Sequence, residues 1–226
     1  MVMKLLNLSK ILVIVYFINL FLYSVFSLVG KEEMVTFFWF IRIPILFVLY
    51  TVSSKERKFL YFFALLFYQL ASVLFFFNSP FQFIYGTIAS VLFKMCLVLL
   101  IVNLVNKKNN CAIGVAFIPF FILYLYIIDL VIDALGNTYY LWILNALLTS
   151  FIGGVAIINY VANSDKKSFW LLISAILFIV QIGTFFINKF YVKDEGIYQI
   201  VIFSYGISHF TFYKFLILKE KEEPIN

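Results

Sequence analysis

Long apolar runs separated by short polar breaks make up almost the whole chain. Eight of these runs are continuous and close to 20 residues or longer. A helix rises about 1.5 Å per residue, so about 20 apolar residues cross the roughly 30 Å hydrocarbon core of a bilayer. The pattern therefore predicts eight transmembrane helices, at residues 11–29, 34–52, 59–77, 81–105, 112–132, 139–161, 168–187 and 197–218.

The breaks between the runs exclude other architectures. None is long enough to hold a separate soluble domain, and continuous apolar runs lack the alternation of a transmembrane β-strand. Lys4 and Lys10 precede the first run as they would in a signal peptide, but that run is longer than a usual signal core and no small-residue cleavage site follows it. We therefore expect a retained first span and one all-α membrane domain over residues 1–226.

The positive charges between the runs give a test of orientation that does not depend on hydropathy. If the spans alternate in direction, twelve basic residues fall on one side of the membrane and three on the other. Cytoplasmic loops carry the excess of Lys and Arg, so we expect both termini in the cytoplasm. The larger set is Lys4, Lys10, Lys55, Arg57, Lys58, Lys107, Lys108, Lys166, Lys167, Lys214, Lys219 and Lys221, and the smaller set is Lys31, Lys189 and Lys193.

The composition agrees with lipid as the solvent. Hydrophobic residues make up 65% of the chain and charged residues 12%, against about 25% charged in an ordinary soluble domain. The net charge of +6 sits in short clusters beside the apolar runs, which is typical of orientation signals and not of a nucleic-acid surface. Cys96 and Cys111 form no spaced framework, and His209 is the single histidine. We therefore predict no disulfide, no metal and no cofactor.

Ionisable residues at membrane depth are costly unless they are paired or hydrated, so each suggests a function. Arg42, Lys94, Asp129 and His209 fall inside predicted spans. One hypothesis places Arg42 and Lys94 in an inward-facing cavity, where they hold a phosphate headgroup. The alternative is that either residue pairs with Asp129 or with a backbone carbonyl and only fixes helix packing.

Two further groups of polar residues leave alternatives open. Asp129 and Asp133 are four residues apart, so they would share one helix face and form an acid–base pair, or Asp133 would start a loop as a solvated cap. His209 suits a general base, or a neutral hydrogen-bonding role between helices. Pro44 is expected to kink the second span and free a carbonyl, and the Gly153–Gly154 pair to permit close helix packing.

Four short stretches in the spans follow a recognisable pattern. Residues 41–44 read I-R-I-P, 64–72 read A-L-L-F-Y-Q-L-A-S, 177–182 read L-F-I-V-Q-I, and 205–209 read Y-G-I-S-H. Over nearly the whole chain this resembles the YhhN family, the bacterial relatives of lysoplasmalogenase. The resemblance implies about eight spans, a bacterial inner-membrane location, and hydrolysis of the vinyl ether bond of lysoplasmalogens.

The chain departs from that family at the positions expected to carry the chemistry. Ser72 stands where the family has an aspartate, Gln181 and Ile182 replace a Ser-Asp pair, and His209 occupies a glutamine position. Protonation of a vinyl ether carbon needs an acid, which neither Ser72 nor Ile182 can supply. Either His209 takes over the acid role or this chain does not catalyse the reaction.

These observations lead to one functional hypothesis and two alternatives. The first is a YhhN-type membrane protein, a lysoplasmalogenase-like lipid hydrolase or a catalytically degenerate relative, that binds membrane lipids and a single-chain phospholipid. Its candidate catalytic residues are Ser72, Gln181 and His209, and its candidate substrate-binding residues are Arg42, Lys94 and Asp129. The alternatives are a small multi-pass transporter with an aqueous path, and a structural membrane partner protein.

Overall fold

A computed structural model describes residues 2–77, 79–105 and 109–221. Within these ranges the chain is helical and contains no β-strand. Lys107 and Lys108, which belong to the larger set of basic residues, lie outside the described residues. The structure therefore bears on the helices themselves and on most of the short connections between them.

Nine α-helices follow one another along these ranges. They are α1 (Val2–Val29), α2 (Glu32–Ser53), α3 (Phe59–Phe76), α4 (Pro80–Leu104), α5 (Asn110–Asp129), α6 (Ile132–Leu135), α7 (Tyr139–Asn163), α8 (Lys166–Phe186) and α9 (Glu195–Glu220). A 3₁₀ turn joins α6 to α7, and a π-helical turn, Ile187–Tyr191, extends α8. Eight helical segments are long and apolar enough to cross a membrane. The short α6 and α7 together count as one of them, the sixth along the chain. The predicted number of spans is confirmed.

Seven of the long helices form a closed circle, which we call the helix ring. Its members pack in the order α1, α2, α3, α4, α7, α8 and α9, and α9 returns to α1. The Tyr16 hydroxyl of α1 closes this last contact by donating to the backbone carbonyl of Gly206 in α9 at 2.8 Å. Helix α5 lies outside the ring, where it packs on α7 and α8.

Polar side chains fix where several helices begin. The side-chain oxygens of Ser79, Asn109, Asp165 and Asp194 each accept a hydrogen bond from a backbone N–H in the first turn of the helix that follows. These N–H groups have no partner inside the helix, so the caps satisfy donors that would be costly to leave bare near lipid. Side-chain caps therefore form part of four of the connections, those before α4, α5, α8 and α9.

Helix α5 meets α7 where the sequence has its glycine pair. A Cβ built at Gly154 would lie 2.9 Å from the carbonyl oxygen of Ile113 and 3.1 Å from the amide nitrogen of Phe117, both in α5. Only a residue without a side chain allows the two backbones to approach this closely. The predicted role of this pair in close helix packing holds at Gly154.

Helix α2 continues through Pro44, which has no N–H to donate to the carbonyl of Phe40. The Gln69 amide nitrogen of α3 donates to that carbonyl at 3.4 Å. The proline thus frees a carbonyl, as predicted, and a neighbouring helix takes it up. This bond ties α2 to α3 close to the level of Arg42.

The prediction that Asp129 and Asp133 share one helix face is wrong. Helix α5 ends at Asp129, three residues before the predicted end of the fifth span, and the chain turns at Leu130 and Val131 before α6 begins at Ile132. Two residues four positions apart lie on the same helix face only if one continuous helix contains both. Both carboxylates are exposed at this end of the bundle.

Candidate functional site

The helix ring encloses a cavity of about 570 Å³. It occupies the half of the bundle next to the α1–α2 and α8–α9 connections, and its walls come from every helix of the ring. Thr36 and Lys193 line it near those connections, and Arg42 and Tyr205 line it deeper in the bundle. Arg42 lies ten residues after Glu32, about 15 Å along the α2 axis, so the cavity reaches about halfway through a bilayer core.

Arg42 is a buried cation on the cavity wall, with 1% of its surface exposed. Its Nη2 donates to the Tyr68 hydroxyl at 3.3 Å, and its guanidinium carbon lies 5.9 and 5.7 Å from the ring centroids of Tyr23 and Tyr205. Its Nε and Nη1 have no hydrogen-bond partner in the described part of the chain. No aspartate or glutamate lines the cavity among the described residues. Arg42 is therefore a buried positive charge at the cavity wall with two donor atoms that have no partner, and no carboxylate of the described residues lines the cavity beside it.

Trp142 adds another free donor to the same cavity. Its indole Nε1 is buried and has no hydrogen-bond partner among the residues described. The indole is held by aromatic contacts, at 4.5 Å from the Phe186 ring centroid and 6.0 Å from that of Phe75. Among the described residues, the buried polar atoms of the cavity wall that have no partner are thus all donors, which suits a ligand rich in acceptor oxygens.

Ser72 and Gln181 line the cavity beside Arg42, on α3 and α8 respectively. The Gln181 side-chain oxygen accepts a hydrogen bond from the Ser208 hydroxyl of α9 at 3.2 Å. These two predicted site residues therefore share one space with Arg42. Both are hydrogen-bonding groups, and neither is an acid near neutral pH.

Lys94 and His209 are buried but are not part of the cavity wall. The His209 ring packs 3.9 Å from the Tyr68 ring centroid and 5.2 Å from that of Phe93. The Lys94 Nζ lies 3.6 Å from the centroid of the Phe178 ring. Lys94 Nζ and His209 Nε2 have no hydrogen-bond partner within the described ranges. Tyr68 and Phe93 also line the cavity, so an aromatic layer separates His209 from it.

Asp129 does not join this site. It is the exposed last residue of α5, the helix outside the ring, and it does not line the cavity. Neither Arg42 nor Lys94 forms an ion pair with it in the described structure. Of the six candidate residues, the structure brings Arg42, Ser72 and Gln181 together, places Lys94 and His209 behind them, and leaves Asp129 apart.

Sequence reasoning missed Tyr68, Trp142 and Tyr205, all of which line the cavity. A signal for Tyr68 was present, since Tyr68 and Ser72 are four residues apart and so lie on one face of an otherwise apolar helix. Tryptophan and tyrosine are common near membrane interfaces, which hides such a signal in an aromatic-rich chain. Comparison of the chain with family models, curated proteins and solved structures finds no match.

Proposed function

We propose that this protein is an inner-membrane bundle that binds a single-chain amphiphile through its phosphate headgroup. The observation that carries the proposal is Arg42, a buried guanidinium on the cavity wall that has two donor atoms without a partner and no carboxylate partner in the described part of the chain. An isolated buried charge costs several kcal/mol, and a bound anion would offset that cost. Phosphate oxygens match the planar donor fork of arginine.

The cavity walls suit the rest of such a ligand. Trp39 of α2 and Phe76 of α3 line it, and Phe76 is 45% exposed. A hydrocarbon chain attached to a phosphate at Arg42 would run past these side chains and leave the cavity toward lipid. A cavity of about 570 Å³ lies within the range typical of small-molecule sites.

The orientation of the bundle forms part of the proposal. The twelve-to-three distribution of basic residues favours cytoplasmic termini, which would open the cavity toward the opposite, outer side. Cys111 lies exposed at the start of α5, on the side of the larger basic set, and Lys193 lies exposed on the other side. A membrane-impermeant maleimide should label Cys111 only in inside-out vesicles, and a Lys193→Cys variant with Cys111→Ser only in right-side-out ones.

The resemblance to the YhhN family supports a lysolipid as the ligand. The family's hydrolysis requires an acid, and the described cavity wall carries Ser72, Gln181 and Ile182 at the family's motif positions. We therefore propose binding as the primary activity. Catalysis is tested by incubating the purified protein with a lysoplasmalogen. Release of fatty aldehyde that is lost in His209→Ala would show that the protein also hydrolyses the lipid.

Direct binding tests the proposal. Purified protein in nanodiscs should bind lysophosphatidylglycerol, and Arg42→Gln should weaken that binding at least about tenfold, since a charge-assisted contact is worth roughly 1.5–3 kcal/mol. Arg42→Lys keeps the charge but loses the planar donor fork. Its affinity for lysophosphatidylglycerol should lie between those of the wild type and Arg42→Gln. Absence of binding by the wild type, or equal binding by Arg42→Gln, would overturn the proposal. Uptake of a soluble phosphate ester into proteoliposomes would favour the transporter instead.

A further inference from the structure

We call the end of the cavity beside the α1–α2 and α8–α9 connections its mouth. The mouth contains an aromatic cage that is already filled by a cation of the protein. The Lys189 Nζ lies 5.4, 5.7 and 6.0 Å from the ring centroids of Phe83, Phe185 and Phe190. Lys189 belongs to the π-helical turn that extends α8, and Phe83 comes from α4 across the cavity mouth. Lys189, Phe185 and Phe190 all line the cavity.

Aromatic cages are one way in which proteins recognise ligand cations. The faces of aromatic side chains attract cations within about 6 Å, and cages of this kind bind quaternary ammonium groups such as choline. Here the Lys189 ammonium occupies the place that an ammonium headgroup would take. A choline or ethanolamine headgroup arriving at this mouth would meet a filled cage and a like charge.

Other charged residues of both signs lie at the connections beside the mouth, among them Lys31, Glu32 and Glu33 between α1 and α2. Lys193 is exposed and lines the cavity. In the α8–α9 connection, Asp194 accepts from the Ile197 N–H as the cap of α9, and Glu195 accepts from the Ser27 hydroxyl and the Gln199 amide. Neither carboxylate is among the residues that line the cavity in the described structure.

We propose that Lys189 selects the ligand by headgroup charge, so that the cavity accepts single-chain phospholipids with a net negative headgroup and rejects those that carry an ammonium group. This inference rests on the proposed function, in which the phosphate lies at Arg42. It adds the substrate class: an anionic lysolipid such as a lysophosphatidylglycerol or a lysophosphatidate.

Two lysolipids with the same acyl chain separate this inference from the function on which it rests. Binding of lysophosphatidylglycerol and lysophosphatidylcholine is measured for the wild type, Lys189→Ala, Lys189→Gln and Lys193→Ala in nanodiscs. Lys189→Ala empties the cage, Lys189→Gln keeps its bulk without the charge, and Lys193→Ala removes a cation at the same mouth that has no aromatic cage. Melting curves and gel filtration establish that each variant is folded.

The wild type should prefer lysophosphatidylglycerol by about tenfold, and Lys189→Ala should lose that preference through tighter binding of lysophosphatidylcholine. Lys193→Ala should keep it. If the wild type binds both lipids equally, or if both Lys189 variants retain the wild-type preference, the inference is overturned while the proposed function stands. If neither lipid binds the wild type, both are overturned.

Discussion

Arg42 and Tyr68 join α2 to α3 at the deep end of the cavity, through the hydrogen bond from Nη2 to the phenolic oxygen at 3.3 Å. The same phenol ring packs against His209 at 3.9 Å between ring centroids. Tyr68 thus contacts the Arg42 guanidinium of the cavity wall on one side and the His209 imidazole behind the wall on the other. Its hydroxyl orients the guanidinium, and its ring separates His209 from the cavity.

Tyr68→Phe should isolate the orienting role of the hydroxyl. The variant keeps the ring, so we expect a loss of about 1 kcal/mol in unfolding free energy and a several-fold weaker binding of lysophosphatidylglycerol. Tyr124→Phe is the matched control, because the Tyr124 hydroxyl donates to the Phe178 carbonyl at 3.2 Å outside the cavity. It should lose similar stability and bind normally. Equal effects of the two variants on binding would contradict an orienting role for Tyr68.

Lys94→Met should stabilise the protein without changing ligand binding. Lys94 is 1% exposed, its Nζ has no hydrogen-bond partner in the described structure, and it does not line the cavity. Replacing a buried amino group that has no hydrogen-bond partner in the described structure by a methionine of similar shape removes the cost of burying that polar group. The measurements are the apparent melting temperature in detergent and the Kd for lysophosphatidylglycerol. A loss of binding as large as that of Arg42→Gln would place Lys94 in the site.

Gly154→Ala should destabilise the contact between α5 and α7. The new methyl group would lie 2.9 Å from the Ile113 carbonyl oxygen, and overpacking against backbone typically costs about 1–3 kcal/mol. Gly114→Ala is the control, because a Cβ at Gly114 in α5 meets nothing within 4 Å and alanine favours the helix. Thermal unfolding of both variants checks this. If Gly154→Ala unfolds at the same temperature as the wild type, α5 can shift away from α7 at no cost in stability.

The cap of α8 gives a pH-dependent prediction outside the membrane spans. Burial raises the pKa of Asp165, but the hydrogen bonds from the Ser168 N–H and hydroxyl and the nearby Lys167 outweigh it, so the pKa lies below its ordinary value of 3.8. A depressed carboxyl pKa stabilises the fold above the unfolded value and loses this effect as the pH falls through the folded value.

Asp165→Ala should therefore lower the unfolding free energy by about 1 kcal/mol at pH 7. The difference from wild type should shrink as the pH is lowered below about 4. Asp165→Asn is the control, since it retains a capping oxygen and should show a smaller loss with little change between pH 7 and pH 3. Unfolding followed by circular dichroism across this range provides the measurement. A pH-independent effect of Asp165→Ala would refute the contribution of the charge.

The spans were predictable because lipid imposes a strict rule on the backbone. Every N–H and C=O in the hydrocarbon core needs an internal partner, so length and hydropathy alone define the helices. The break after Asp129 escaped prediction, because the apolar residues Leu130 to Ile132 continue the hydropathy pattern while the backbone turns. Hydropathy records which residues tolerate lipid and not where a helix ends.

The candidate site was only partly predictable, because a buried polar residue does not reveal which neighbour it faces. Arg42, Ser72 and Gln181 point to one space because α2, α3 and α8 are all members of the helix ring. Lys94 follows directly after Phe93, which does line the cavity, yet Lys94 lies behind it. One residue along a helix changes the direction of a side chain by about 100°, so only the packing order of the helices distinguishes the two.

The hydrogen bond from Tyr16 to Gly206 has a consequence for biosynthesis. It joins the first described span to the last, and the Tyr23–Tyr198 contact at 2.9 Å lies along the same seam. The cavity wall therefore has a gap until α9 has entered the bilayer, although Arg42 enters with the second span. Until then Arg42 lacks Tyr205, whereas Gln181 enters with the preceding helix, α8. A chain stalled before α9 would therefore hold Arg42 beside Tyr23 and Tyr68 but would leave the site open on the side of Tyr205.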